Sequence, residues 1–161
     1  MRKIHRLLSS CRRGYFKYLY LCTLNHKIRK IRRKETIRVL FAVAESATWK
    51  NDSLYRAMLM HPGFTPLILV LPDEQKEESL KREGVDTCFD FFHNKGYTCS
   101  YPYENGKLIN IRKALNPDII FYQKPYTYYP ESFLYRRNLN ALFCYTNYAF
   151  HSLLADWANK N

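Results

Sequence analysis

Three stretches of this sequence gather side chains able to do chemistry. Residues 44–53 carry Glu45, Ser46, Trp49 and Lys50. Residues 123–131 carry Gln123, Lys124, Tyr126, Tyr128 and Tyr129. Residues 147–152 carry Asn147, Tyr148 and His151. Aromatic faces, amides and a few charges suit a hydroxyl-rich or phosphate-bearing ligand. The alternative is that the Tyr and Trp rings only cover the edge of a sheet. His151 has its own chemistry, because a neutral imidazole can take the proton of an attacking hydroxyl. Its alternative is a structural or solvent-exposed role.

The remaining histidines carry less. His5 and His26 sit among basic residues, and His61 precedes Pro62 in a turn. His93 falls near a helix end, where the last carbonyls favour a cation. Nothing around Ser46 or any other serine forms a nucleophile elbow. No GxGxxG follows the first strand and no GxxxxGK[ST] occurs, so dinucleotide dehydrogenases and P-loop NTPases are disfavoured. A phosphoacceptor receiver is disfavoured too, since Glu45 lacks a cluster of neighbouring acids.

The five cysteines, Cys11, Cys22, Cys88, Cys99 and Cys144, are odd in number and show no CxxC spacing. That argues against a structural zinc site or a disulfide framework and favours reduced thiols. No metal or cofactor is expected.

Charge divides the chain. Of its 26 Lys and Arg, 12 lie between Arg2 and Lys34, where there is no acid; the other 14 balance the 14 acids that follow. The net +12 thus belongs to an extension, and the rest is neutral. Ile4, Leu7, Leu8, Cys11, Tyr15, Tyr18, Leu19 and Cys22 follow helical spacing, with Arg2, Lys3, Arg6, Arg12, Arg13 and Lys17 mostly off that stripe. This predicts a basic amphipathic helix over 1–35, ahead of a domain over 36–161. Three readings of the helix compete. It lies in an anionic membrane interface, with Tyr15 and Tyr18 at headgroup depth. It neutralises nucleic-acid phosphates. Or it is a solvated tail. The apolar stripe favours the membrane, because a nucleic-acid arm needs none. No apolar run reaches the roughly 20 residues of a membrane span, and no signal peptide is evident.

From residue 36 onward, strands and helices alternate. Strands are expected at 37–43, 66–71, 97–101, 118–122 and 141–146. Between them, Asp52 or Ser53 caps a helix to about residue 60. Asp73 opens a charged helix that Gly84 breaks, and a further helix over 87–94 is closed by Gly96. Asn105-Gly106 makes a turn. Helices are also expected at 108–115, 131–138 and 150–158. The pattern predicts an α/β fold: a Rossmann-like, doubly wound parallel sheet of about five strands, order 3-2-1-4-5. In such sheets ligands bind outside the carboxyl ends of the strands. All three chemistry-bearing stretches follow a strand on that side.

The strings IRVLFAVAESATWKNDSLYRAM, HPGFTPLILV, FDFFHNKGY, LNPDIIFYQKPY and ALFCYTNYAFHS resemble the N-terminal region of the CDP-glycerol glycerophosphotransferase family. That family includes teichoic-acid polymerases and related lipopolysaccharide or capsule enzymes. The resemblance covers about residues 37–153. It implies the acceptor-side domain of a glycosyltransferase-B fold, attached peripherally to the cytoplasmic face of the membrane. It implies transfer of glycerol phosphate, or a related polyol phosphate, to a lipid-linked polyol-phosphate or saccharide acceptor. It also implies a catalytic histidine after a late strand. His151 is the candidate, although it lacks the Gly-Thr that commonly follows. Glu45, Ser46, Trp49, Lys50, Gln123, Lys124 and Tyr126 are the expected acceptor contacts. The donor-binding half has no counterpart in these residues, so CDP-glycerol is expected only with a C-terminal domain, and the chain is expected to be inactive alone. The alternative function is a non-catalytic membrane-docking or polyol-phosphate-binding module.

Overall fold

The computed structural model describes residues 2–124 and 128–146 of the chain. A long helix α1 (Arg2–Arg32) leads into strand β1 (Ile37–Val43). Then come α2 (Asp52–Met60), β2 (Phe64–Val70), α3 (Glu78–Asn94) and β3 (Cys99–Ser100). A two-stranded hairpin, β4 (Tyr103–Glu104) with β5 (Lys107–Leu108), precedes α4 (Ile111–Ala114). Strands β6 (Ile119–Tyr122) and β7 (Leu142–Tyr145) complete the sheet.

The five-stranded sheet is parallel throughout and ordered β3-β2-β1-β6-β7. With the hairpin set aside, this is the expected 3-2-1-4-5 order of a Rossmann-like α/β fold. The chain winds outward from β1 to β2 and β3, then crosses back to β6 and β7. The strand order therefore reverses between β1 and β6.

β1 is apolar on both faces because both are covered. Val39, Phe41 and Val43 pack with Tyr55, Val85, Cys88 and Phe92 of α2 and α3. Leu40, Ala42 and Ala44 pack with Ile111, Tyr129, Phe133 and Leu134 on the other face. The Tyr122 hydroxyl donates to the Phe133 carbonyl and ties that face to β6.

Several local expectations need correction. Asp52 does not cap α2; Asn51 holds the N-cap, and its amide donates to Thr146 Oγ1 at 3.1 Å instead of capping the helix. Asp73 opens no helix, and Gly84 breaks none. One helix runs from Glu78 to Asn94. Its buried residues Val85, Cys88 and Phe92 share one face, and burying that face outweighs the roughly 1 kcal/mol that a mid-helix Gly costs. Gly96 does close the helix, with φ +77. Its N–H donates to His93 O and that of Tyr97 to Phe92 O, the paired bonds of a Schellman cap. The third strand is only Cys99–Ser100, α4 is one turn, and residues 131–137 form two 3-10 turns rather than a helix. The helix expected over 150–158 lies outside the described residues.

α1 is docked by one side of its C-terminal half. Ile31 and Lys27 are buried. The Tyr20 ring packs at a tilt against Phe143, centroids 5.3 Å apart, and its hydroxyl accepts the Phe143 N–H at 3.0 Å. Among the described residues β7 is an edge strand, so this hydroxyl satisfies a backbone donor that no described strand reaches. Lys34 pairs with Asp118 at 2.6 Å, just before β6.

Candidate functional site at the carboxyl edge of the sheet

The carboxyl ends of β1, β2 and β6 converge on Lys124. Its Nζ lies 2.6 Å from Glu45 Oε2 and 3.0 Å from Asp73 Oδ2, and 4.8 Å from the centre of the Tyr128 ring. Each partner is placed by the strand that precedes it. Glu45 follows β1 in extended conformation before a 3-10 turn, Ser46–Thr48. Asp73 follows β2 by way of Leu71, whose N–H still pairs with Val43 O. Its second oxygen accepts the Gln75 N–H at 2.9 Å, which fixes the carboxylate. Lys76 reaches the other oxygen of Glu45 at 3.3 Å. Two ammonium groups thus face two carboxylates, and the cluster is neutral.

Beneath it lies Tyr129, whose hydroxyl accepts the Lys124 N–H at 3.1 Å and donates to Ala42 O at 3.4 Å. Gln123 sits at the β1–β6 reversal, 2% exposed. Among the described residues neither end of its amide has a hydrogen-bond partner. Asn51 and Thr146, joined to each other, belong to the same end of the sheet. Beside the cluster, between the β1 loop and α3, a cleft of about 480 Å³ is lined by Glu45, Ser46, Lys76, Gly84, Thr87 and Cys88.

The protonation states restrict what these groups can do. Hydrogen bonding from Lys124 holds the Glu45 carboxyl below its ordinary range, against the opposing effect of burial, with Lys76 adding to the depression. Burial works against the Lys124 ammonium, but hydrogen bonds and charge from Glu45 and Asp73 outweigh it, so its pKa rises. Burial pushes the Tyr129 hydroxyl to about 12 and the Cys88 thiol to about 12. At neutral pH Glu45 is therefore a fixed anion, Lys124 a fixed cation and Tyr129 a neutral hydroxyl. Cys88 is an inert thiol, because the thiolate is the nucleophile. General acid–base work needs a pKa near the operating pH, and none of these four groups is tuned that way. The arrangement can orient and hydrogen-bond a ligand.

The structure brings together Glu45, Ser46, Gln123 and Lys124 of the expected contacts. It separates Trp49 from them: the indole packs edge-on against Phe41, Tyr55, Phe92 and Tyr97 in the aromatic layer under α2 and α3. Lys50 is exposed between the Ser46–Thr48 turn and α2. Tyr126 and His151 lie outside the described residues. The sequence reading missed Asp73 and Lys76 as members of the cluster. Asp73 carried a usable signal, because it directly follows a strand at the ligand-side edge; Lys76 carried none.

On α1, Tyr15 and Tyr18 are 61% and 69% exposed. Arg2, Lys3, Arg6, Arg12, Arg13 and Lys17 lie within the helix span. Among the described residues no helix is long and apolar enough to cross a membrane. Among them, too, no group of His, Cys, Asp and Glu is placed to hold a metal. No family model, no curated protein and no solved structure matches this chain.

Proposed function

We propose that this chain is the acceptor-side domain of a cell-envelope polymer transferase of the CDP-glycerol glycerophosphotransferase type, held at an anionic membrane surface on the cytoplasmic side by α1. The observation that carries the reading is the character of the carboxyl edge. Its charges neutralise one another, and the Gln123 amide finds no partner among the described residues at the point where the strand order reverses. A buried amide with both ends unmet costs on the order of 1–3 kcal/mol per lost partner. A ligand offering a donor and an acceptor together, as a polyol does, would recover that cost. A bare phosphate would find Lys124 and Lys76 already engaged. The sequence resemblance supplies the identity of the polyol, glycerol phosphate, and the lipid-linked acceptor. His151 is the candidate base in that scheme, and CDP-glycerol the donor where a donor-binding domain is present.

The test is a titration of the chain with a short glycerol-phosphate oligomer and, separately, with CDP-glycerol, followed by backbone amide NMR. The oligomer should shift amides at residues 45–51 and 122–124, and CDP-glycerol should not. Absence of oligomer binding at millimolar concentration, or shifts from CDP-glycerol alone, would overturn the proposal. The alternative, a polyol-phosphate-binding module without turnover, is favoured by the lack of a group tuned for proton transfer among Glu45, Cys88, Lys124 and Tyr129. A transfer assay on the chain supplied with a donor-binding partner separates the two.

A further inference from the structure

The cleft between the β1 loop and α3 shares only one wall with the ionic cluster. Its volume of about 480 Å³ falls in the range of small-molecule sites. One side is Ser46 and Ala47; the other is formed by Leu80, Glu83, Gly84 and Thr87 of α3. Residues three and four apart are neighbours on a helix, so these four make a single face. Cys88 joins the two walls, because its thiol accepts the Ser46 N–H. Glu45 and Lys76, held to each other at 3.3 Å, close the end beside Lys124.

Three polar groups in the cleft have no use within the fold. Among the described residues Glu83 makes no ion pair, and the Ser46 and Thr87 side chains make no hydrogen bond. A helical threonine often turns its hydroxyl back to the preceding turn, as Thr23 does toward Leu19 O at 3.0 Å; Thr87 does not. Gly84 adds a second sign. A Cβ there would meet only Lys76, 3.6 Å from Nζ and 3.9 Å from Cδ, which are ordinary contact distances. The backbone therefore admits alanine, which a helix prefers, yet this position on the floor of the cleft has no side chain.

The surroundings select the sign of a ligand. Residues 73–90 hold seven acids and three bases. The cations of α1 are remote, because α1 docks on β7, three strands from β2. At about 4.8 Å per strand that is about 14 Å, beyond the screening length of about 8 Å. Glu45 and Lys76 cancel, which leaves the Glu83 carboxylate as the uncommitted charge of the cleft.

We propose that this cleft binds a primary ammonium on a short aliphatic body, a small amine or amino alcohol. An ammonium has three donors and no acceptor; Glu83, Ser46 and Thr87 supply three accepting groups. The body lies over Gly84 against Ala47 and Leu80, a leucine 49% exposed in the free chain. A quaternary ammonium has no N–H for the hydroxyls and finds no aromatic cage among the lining residues. A carboxylate or phosphate meets Glu83. The site is on the β2 side of β1 and Gln123 on the β6 side, so its ligand is independent of the polyol proposed there.

The experiment follows the backbone amides of the whole chain by NMR during separate additions of aminobutanol, choline and butyrate. Aminobutanol at millimolar concentration should shift Ala47, Gly84, Thr87 and Cys88 and leave Gln123 in place; choline and butyrate should shift none of them. Glu83→Gln changes one exposed side chain and should weaken aminobutanol binding by about tenfold. Gly84→Leu fills the floor and should abolish it, with a melting temperature at or above the parent's to show that α3 is intact. No shifts from aminobutanol, equal shifts from choline, shifts from butyrate, or full affinity in either variant would each overturn the proposal. A capped lysine amide separates a free amine from a protein side chain: weaker binding than aminobutanol supports the small-molecule assignment, and tighter binding overturns it. Glycerol-phosphate oligomers that shift residues 122–124 in a chain indifferent to aminobutanol would leave the polyol reading standing and sink this one alone.

Discussion

Replacing Lys124 with Met tests whether the cluster at the carboxyl edge is a buried ionic lock. Met keeps the length and much of the apolar stem, so packing against Tyr128 changes little. What disappears is the ammonium between Glu45 and Asp73. The two carboxylates are not equally affected. The Glu45 side chain is one-third exposed and keeps Lys76, so water and that lysine replace much of what it loses. Asp73 is 5% exposed and, among the described residues, retains only the Gln75 N–H. Breaking a buried pair by removing one partner costs about 3–5 kcal/mol. Because only one of the two anions is left stranded, the lower end, about 3 kcal/mol, is expected. With a urea m-value of about 2 kcal/mol/M, the unfolding midpoint should fall by about 1.5 M. Adding Asp73→Asn to Lys124→Met should recover at least half of that, since an amide is far cheaper to leave buried than a carboxylate. A loss below about 1 kcal/mol, the range of exposed ion pairs, would refute the reasoning and mean that water reaches Asp73.

Three further outcomes are expected. As pH falls, the wild type should lose stability below about 4.5, the ordinary Glu45 value, because a depressed folded pKa gives stability that is present above the unfolded value and lost as pH drops through the folded one; urea midpoints from about pH 6 to pH 3 check this, and the slope should flatten in Lys124→Met. Lys27→Met should raise the melting temperature, by about 1 kcal/mol of stability, because Lys27 Nζ is buried against the Tyr20 ring at 4.1 Å with no hydrogen-bond partner and burial lowers its pKa; a drop in melting temperature would count against that account. Gly96→Ala should cost about 1 kcal/mol or more, since its φ of +77 suits only glycine, while Gly14→Ala, with open space around it, should not destabilise.

Legibility in the sequence followed the physics of each segment. β1 was readable because a strand covered on both faces must be a continuous apolar run, and Val39–Val43 is one, fully buried after the half-buried Ile37 and the exposed Arg38. The Asn105-Gly106 turn was readable because both residues take positive φ there. Gly84 misled, since local propensity suggested a break where the face formed by Val85, Cys88 and Phe92 held one helix together. Trp49 misled differently: ring chemistry suggested a ligand contact, but a large apolar surface beside an aromatic layer is buried there first. Asp73 was read by its local helix-starting habit, and its partner, Lys124, lies 51 residues away. No local signal reports a contact of that range. Lys27 looked like one of many cations and is instead pressed into the α1 seam. Its spacing from Tyr20 and Ile31, seven and four residues, was the trace it left.

These placements locate the excess positive charge. After Glu35 the chain is electrically balanced, and at the carboxyl edge Lys124 and Lys76 are held by Glu45 and Asp73. A free anion approaching that edge meets a neutral cluster whose cations are already committed. The unopposed cations lie on α1, and Lys27 and Lys34 are drawn into its dock. On the function proposed above, the molecule would separate two tasks that a single basic cleft would combine. Long-range attraction to a polyanionic surface resides in the helix and is sensitive to salt, with a screening length of about 8 Å at physiological ionic strength. Recognition of the proposed ligand at the sheet edge would rest on neutral hydrogen-bonding groups, Gln123 foremost, and should be nearly indifferent to salt. A ligand held at a membrane and rich in hydroxyls satisfies both halves. A soluble phosphate satisfies neither.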